Sequence, residues 1–352
     1  MSIKGYKAFN RGMICKGKQY EENTTYEENG NKICEAGVMH FCENPFDVLN
    51  YYPLIDEDGN ISDFADVEAI GDIYKGKDKT ATNKLHIGAK LGFKGFIKAC
   101  VDFTIEKTKA ETVKADDVGI SSGDYAKIGS SGDYAKMGSS GDYAQIGSSG
   151  DSAQIGSSGY SAQIGSSGYS AKMGSSGDSA KMGSSGDYAQ IGSSGDSAQI
   201  GSSGDSAKIG SSGDYAQIGS SGDYAKIGSS GDSAKIGSSG DSAQIGSSGY
   251  SAQIGSSGDS AKIGSSGDST QITSKGNNSV VMAAGYNSIA KAKIGSWITL
   301  AEWIRTGKTN DSGKYIWIPK CVKTECVDGE RIKEDTFYKL VDGEFKEVES
   351  EE

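Results

Sequence analysis

Between Ser121 and Thr273 one nine-residue phrase is written seventeen times without an insertion or deletion. Its consensus is Ser-Ser-Gly-Asp-(Tyr/Ser)-Ala-(Lys/Gln)-Ile-Gly, first met as Ser121 to Gly129. A short fixed period confines the chain to a repeat architecture, in which each unit buries its apolar side chains only by stacking on its neighbours. An ordinary globular core is excluded, because the apolar positions are almost only Ala and Ile or Met.

Within each unit, Ala at the sixth place (Ala126) and Ile at the eighth (Ile128) alternate with Lys or Gln between them. Alternation of period two marks a strand with one buried and one wet face. Ser-Ser-Gly-Asp then supplies a turn, with Gly permitting positive φ and Asp bonding its own backbone two residues on. Two such sides close a coil of about 18 residues that buries a row of Ala and a row of Ile on each side. Seventeen repeats give about eight and a half coils, a rod on the order of 40 Å long at ~4.8 Å per coil. A three-sided coil of about 27 residues is the alternative, but Ala and Ile would underfill its wider interior, and voids are costly. Every second repeat from the first reads Lys127, Gln145, Gln163, Lys181, Gln199, Gln217, Lys235, Gln253, Gln271, a rhythm that the other set lacks.

The fold class that follows is mainly β: a parallel β-solenoid with a small α+β N-terminal domain and a C-terminal β-meander cap. The domains are 1–114, 115–294 (regular over 121–273, degenerate over 274–294) and 295–352. In the first, Ile3 to Phe9 reads as a strand, and Gly12 to Gly17 with Asn29-Gly30-Asn31 as turns. Asn44-Pro45 followed by Phe46, Val48, Leu49 and Tyr52 reads as a short helix with Pro45 at its first position. Asp63 to Ile73 is a further strand. Lys84 to Val101, rich in Gly and apolar residues, is expected to form the platform on which the solenoid begins, and Lys107 to Asp117 its lead-in. After Thr273 the repeat decays in phase, and Trp297 to Trp303 is bulky and apolar. Tyr315 to Val322, Thr324 to Val327 and Thr336 to Leu340 read as strands, Asp328-Gly329 and Asp342-Gly343 as hairpin turns, and Glu347 to Glu352 as a frayed tail. Solenoid ends are unpaired sheet edges, so both flanks are expected to serve as caps, and any homo-oligomer is expected to form through the ends or the C-terminal cap.

Net charge is -11, from 36 basic and 47 acidic residues spread along the chain. Without clustered Lys and Arg, nucleic acid is not an expected partner. No apolar run approaches the ~20 residues that span a bilayer, and Met1 to Gly12 lacks the pattern of a signal peptide. Six Cys (Cys15, Cys34, Cys42, Cys100, Cys321, Cys326) are too few for a disulfide scaffold, so reduced thiols in a cytoplasmic protein are expected.

The exposed rows carry the candidate binding surface: Asp124, Asp133, Asp142 and their eleven repeats, with Tyr125, Tyr134, Tyr143, Tyr188, Tyr215 and Tyr224. Such an aromatic-dotted face suits multivalent binding of a protein or a glycan. The Asp-bearing nonapeptide resembles the calcium-binding β-roll repeat, Gly-Gly-x-Gly-x-Asp-x-(apolar)-x. Here the second Gly is Ser, Asp sits one place early, and Tyr160, Tyr169 and Tyr250 replace it. A calcium site needs six to eight oxygens, so Asp is read as a turn former and no metal or cofactor is expected. Ice-binding solenoids show Thr rows, and Thr occurs here only at Thr270 and Thr273. Cys34, His40 and Cys42 match no usual zinc spacing.

Two resemblances bear on function. Gly37-Val38-Met39-His40-Phe41 with Asn44-Pro45 and Tyr51-Tyr52 resembles the central motif of ADP-ribosyltransferase-like folds. Tyr6-Lys7-Ala8-Phe9 then stands for that family's first motif, without its Arg or His, and Val67-Glu68-Ala69 for its glutamate. The resemblance implies a degenerate catalytic set of Tyr6, His40, Tyr51 and Glu68. Along most of its length the chain is similar to a family of uncharacterised phage and prophage proteins, through Cys15-Lys16-Gly17-Lys18-Gln19-Tyr20, His40 to Pro45, the repeats, and Gly295 to Trp303. That similarity implies a non-enzymatic scaffold presenting a binding surface, either to a host protein, as an anti-defence factor in the host cytoplasm, or to a cell-surface ligand, as a virion fibre or adhesin.

Overall fold

A computed structural model describes residues 2–30, 37–56, 60–108, 112–113, 118–310 and 312–349. Each repeat gives one four-residue strand, Lys/Gln-Ile-Gly-Ser, as in Lys127–Ser130 and Lys136–Ser139. Strands 18 residues apart pair in parallel and in register, Lys127 beside Gln145 and Ile128 beside Ile146. Successive strands therefore alternate between two sheets, one of 13 strands and one of 12. The coil is two-sided, and the three-sided alternative is excluded.

The interior has three rows per side where two were expected. Ala144, Ile146 and Ser148 are all fully buried. In part of the row the hydroxyl turns back on its own corner, Ser148 Oγ accepting the Gly150 N–H at 3.3 Å, whereas the buried Ser202, Ser220 and Ser256 hydroxyls have no partner.

The turn works differently from the expectation. Its left-handed residue is the Tyr or Ser at the fifth place in several repeats, with φ 61° at Tyr125 and 58° at Tyr215, and no repeat glycine has positive φ. The third-place glycine answers a distance constraint instead: a Cβ on Gly141 would collide with the carbonyl oxygen of Gly123, one coil earlier. Nor does Asp bond two residues on. Asp124 Oδ1 accepts the N–H of Asp142 at 3.0 Å, and Asp232 Oδ1 that of Tyr250 at 2.7 Å. Carboxylates of this row thus tie many coils to the next, as also at Asp214 and Asp241.

In the head, the strands Ile3–Phe9, Asp63–Ala69, Lys84–Leu91 and Thr24–Glu27 form an antiparallel sheet in that order. Pro45 opens a 3-10 helix, Pro45–Asn50, whose cap Asn44 accepts the Phe46 N–H. The strand expected over Asp63 to Ile73 stops at Ala69, and a short strand Ile73–Lys75 follows. The expected platform is a strand followed by a 16-residue helix, α1 (Phe93–Thr108). Asn31, most of the lead-in (109–111 and 114–117) and the last three residues lie outside the described residues.

The head does not cap the end of the rod; it lies along its side. On each sheet the trough between outward side chains is floored by glycine, because Lys/Gln and Gly are the outward residues of every strand. On the 13-stranded sheet α1 fills that trough. Virtual Cβ atoms on Gly147, Gly165, Gly201 and Gly219 would meet Thr108, Thr104, Ile97 and Phe93 in turn. Residues three or four apart share a helix face, and one turn rises ~5.4 Å against ~4.8 Å between strands, so the helix sets about one side chain per coil. Its other face carries Phe96, stacked at 3.7 Å on Phe64 of the head sheet.

At the far end the stack turns antiparallel. Trp297 to Trp303 opens a 13-residue strand, Trp297–Thr309, and the two strands expected over Tyr315 to Val327 are one, Tyr315–Cys326, paired with it. Asp328-Gly329 is not a hairpin turn, because the flanking strands join different sheets. Asp328 Oδ1 instead accepts three backbone N–H groups, from Glu330, Arg331 and Ile332. Asp342-Gly343 does close a hairpin, with φ 53° and 72°.

Filling the two troughs therefore has opposite outcomes. Gly201→Leu collides with Ile97 and is expected to weaken head docking by about 1–3 kcal/mol. Gly192→Leu, where a Cβ meets nothing within 4 Å, is expected to leave stability unchanged. Urea denaturation with limited proteolysis of the head against the rod reads both.

Candidate functional site

The first candidate is the trough on the 12-stranded sheet. It has the same glycine floor as the covered one and stays open, a channel of about 1220 Å³. Its floor is Gly156, Gly174, Gly192, Gly210, Gly228 and Gly246, at none of which would a Cβ meet another atom within 4 Å. Its wall is the outward row Lys136, Gln154, Lys172, Gln190, Lys208, Lys226, Gln244, Lys262, all exposed.

The corresponding row under the head is the one with the regular Lys/Gln rhythm, and it is used as a polar seam. Asn44 Nδ2 donates to Gln163 Oε1 at 3.1 Å, Gln199 Nε2 donates to the Leu49 carbonyl at 3.3 Å, and the Leu54 N–H donates to Gln217 Oε1 at 2.8 Å. Lys181 Nζ donates to the Phe46 carbonyl and to Asn50 Oδ1, at 3.0 and 2.7 Å. Burial lowers the Lys181 pKa, and nearby Asp47 works against that shift. Covering an amide costs less than covering an ammonium, which fits a covered row of mostly Gln and an open row of mostly Lys.

The Tyr and Asp rows run along the two edges of the rod. Tyr125, Tyr143 and Tyr215 precede strands of the covered sheet, whereas Tyr134, Tyr188 and Tyr224 precede strands of the open one. Tyr125 and Tyr143 stack at 5.1 Å and 9°. Asp124 and Asp142 lie on the first edge and Asp133 on the second; the first two carboxylates accept backbone N–H groups of the next coil. Among the described residues no three His, Cys, Asp or Glu side chains converge to hold a metal ion. Cys34 lies outside the described residues.

The second candidate is a cavity of about 520 Å³ inside the head. It brings together Tyr6, His40 and Tyr51 with Lys7, Cys15 and Tyr52, while Glu68 lines a separate polar cleft that Tyr6 also reaches. Tyr52 Oη donates to Cys15 Sγ at 2.9 Å. Burial, then Lys79, Lys7 and Lys16, hold His40 down at about 4, and burial pushes the Cys42 thiol up to about 12. Near neutral pH the imidazole is therefore uncharged and the Cys42 thiol protonated. The sequence reading passed over Lys7 as a site residue, although a Lys inside an apolar strand, between Tyr6 and Ala8, was the available signal.

Residues 3–99, the head up to the first half of α1, match the model of a domain of unknown function (DUF7666). No curated protein and no solved structure matches the chain. No helix among the described residues is long and apolar enough to cross a membrane.

His40 gives a pH prediction. Its folded pKa, about 4, lies below the unfolded 6.5, so its contribution is present above pH 6.5 and lost as pH falls through about 4. Head stability is expected to drop by about 1–3 kcal/mol more in the parent than in His40→Gln over that window. Urea midpoints at pH 7 and pH 4 measure the difference; equal drops in the two proteins contradict it.

Proposed function

We propose that the chain is a non-enzymatic β-solenoid scaffold of phage or prophage origin, and that its open trough binds a host protein, as an anti-defence factor does. One observation carries this reading: of two troughs with the same glycine floor, one holds a helix and the other is empty. The covered trough accepts a helix that sets about one side chain per coil on the glycine floor, from Thr to Phe in size. The five Lys on the open wall favour a partner helix flanked by Asp or Glu, through charge complementarity that guides encounter and register.

The fibre or adhesin reading has its own support. In the strand Tyr315–Cys326, Tyr315, Ile316, Trp317 and Ile318 are exposed, and the strand is the outermost of its sheet. An exposed apolar edge is suited to pairing with another chain. Light scattering separates the two: a trimer supports the fibre, a monomer the soluble binder.

Trough filling tests the leading reading. A synthetic helix copying Phe93–Thr108, with Glu at its Lys positions, is expected to bind the intact protein and to lose at least about tenfold in affinity to Gly192→Leu/Gly210→Leu, roughly 1.4 kcal/mol. Host protein captured by the parent is expected to be lost with the same variant. Retention of both ligands by the filled trough removes the proposal.

A further inference from the structure

The head cavity is lined by a buried amine, Lys7, that no carboxylate meets among the described residues. Lys7 is only 6% exposed, yet its ammonium donates to the His40 carbonyl at 2.9 Å and lies 5.5 and 5.6 Å from the ring centres of Phe9 and Tyr20. Among the described residues no carboxylate pairs with it. The acid among them that lines the cavity is Glu28, which Lys18 engages at 2.6 Å. Burial lowers the Lys7 pKa, with Cys15 beside it working against that shift, and an anion entering the cavity would favour the charged amine.

The rest of the lining describes that anion. Lys16 is exposed, and Lys79, half-buried, lies 4.8 Å from the ring centre of Tyr51, so both bring positive charge to the cavity. Its walls are apolar and aromatic, including Phe41, Tyr51 and Tyr52. A volume of about 520 Å³ suits a small organic molecule. The His40 pKa, depressed first by burial and then by Lys79, Lys7 and Lys16, agrees with a positive potential there.

We propose that this cavity is a binding site for a small organic anion, an aromatic or other apolar body bearing a carboxylate or phosphate, with Lys7 as its buried countercharge. The site is independent of the open trough, which lies on the rod.

Fluorescence titration of the full chain with anilinonaphthalene sulfonate, against the uncharged phenylnaphthylamine, tests it. The sulfonate is expected to bind the parent at least about tenfold more tightly than the neutral dye, and Lys7→Met to lose about tenfold for the sulfonate alone. Sulfonate affinity within twofold of the parent in Lys7→Met, or equal affinity of the parent for both dyes, overturns the proposal. Should Lys7→Met fail to fold by circular dichroism, Lys16→Gln/Lys79→Gln replaces it, with a loss of about threefold to fivefold expected and unchanged affinity contradicting. Displacement by phenyl phosphate or by phenylacetate identifies the headgroup, and displacement by neither overturns the site.

Discussion

Coils stack in this molecule because the third glycine of each repeat leaves room for the carbonyl oxygen of the glycine 18 residues earlier. A Cβ at that place collides with backbone at every step from Gly141 to Gly285. With contact that close, strands pair in register at the spacing of a parallel sheet, the Ile and Ala rows close the interior, and the Asp carboxylates reach the next coil's N–H groups. The three Tyr replacements at the fourth place are tolerated because each forgoes at most one exposed hydrogen bond, of the order of 1 kcal/mol, and leaves the glycine contact intact.

Stacking a single phrase produces two faces of equal shape, and the head makes them unequal. α1 takes one trough, its apolar stripe matched to the coil spacing, and the seam of Gln163, Lys181, Gln199 and Gln217 bonds the polar backbone of the Pro45–Asn50 helix and Leu54. The other trough keeps its floor bare and its Lys in water. A repeat array built only for length would have no reason to separate Lys from Gln between faces, whereas covering one face provides it, since a covered ammonium must be partnered and a covered amide needs much less.

The two-sided coil, its strands and the turn at Asp342-Gly343 were legible because each depends on neighbours within one or two repeats. Head placement was not, since it depends on α1 meeting glycines more than 20 residues away, with no local signal in Lys84 to Val101 beyond apolar content. Only the Lys/Gln rhythm hinted at it, by marking the row that the head covers. The Tyr315–Cys326 strand was read as two, parted at Lys323, but runs on through that residue because it pairs with Leu300 of the neighbouring strand. In the head, His40 and Tyr51 were found through their motif and do share a cavity. Lys7 was missed because burial of a charged residue is a tertiary fact.

Placement of the head along the rod is the claim from which both troughs take their meaning, and a cross-link addresses it most directly. A Cβ at position 201 lies 3.1 Å from Ile97 Cγ1, which brings Ile97→Cys/Gly201→Cys close to the Cβ separation that a disulfide spans, about 3.5–4.5 Å. Mild oxidation followed by peptide mass spectrometry is predicted to show that link forming readily, while Ile97→Cys/Gly192→Cys, on the opposite sheet, stays unlinked. Absence of the first link in folded protein, or equal formation of both, would contradict the account.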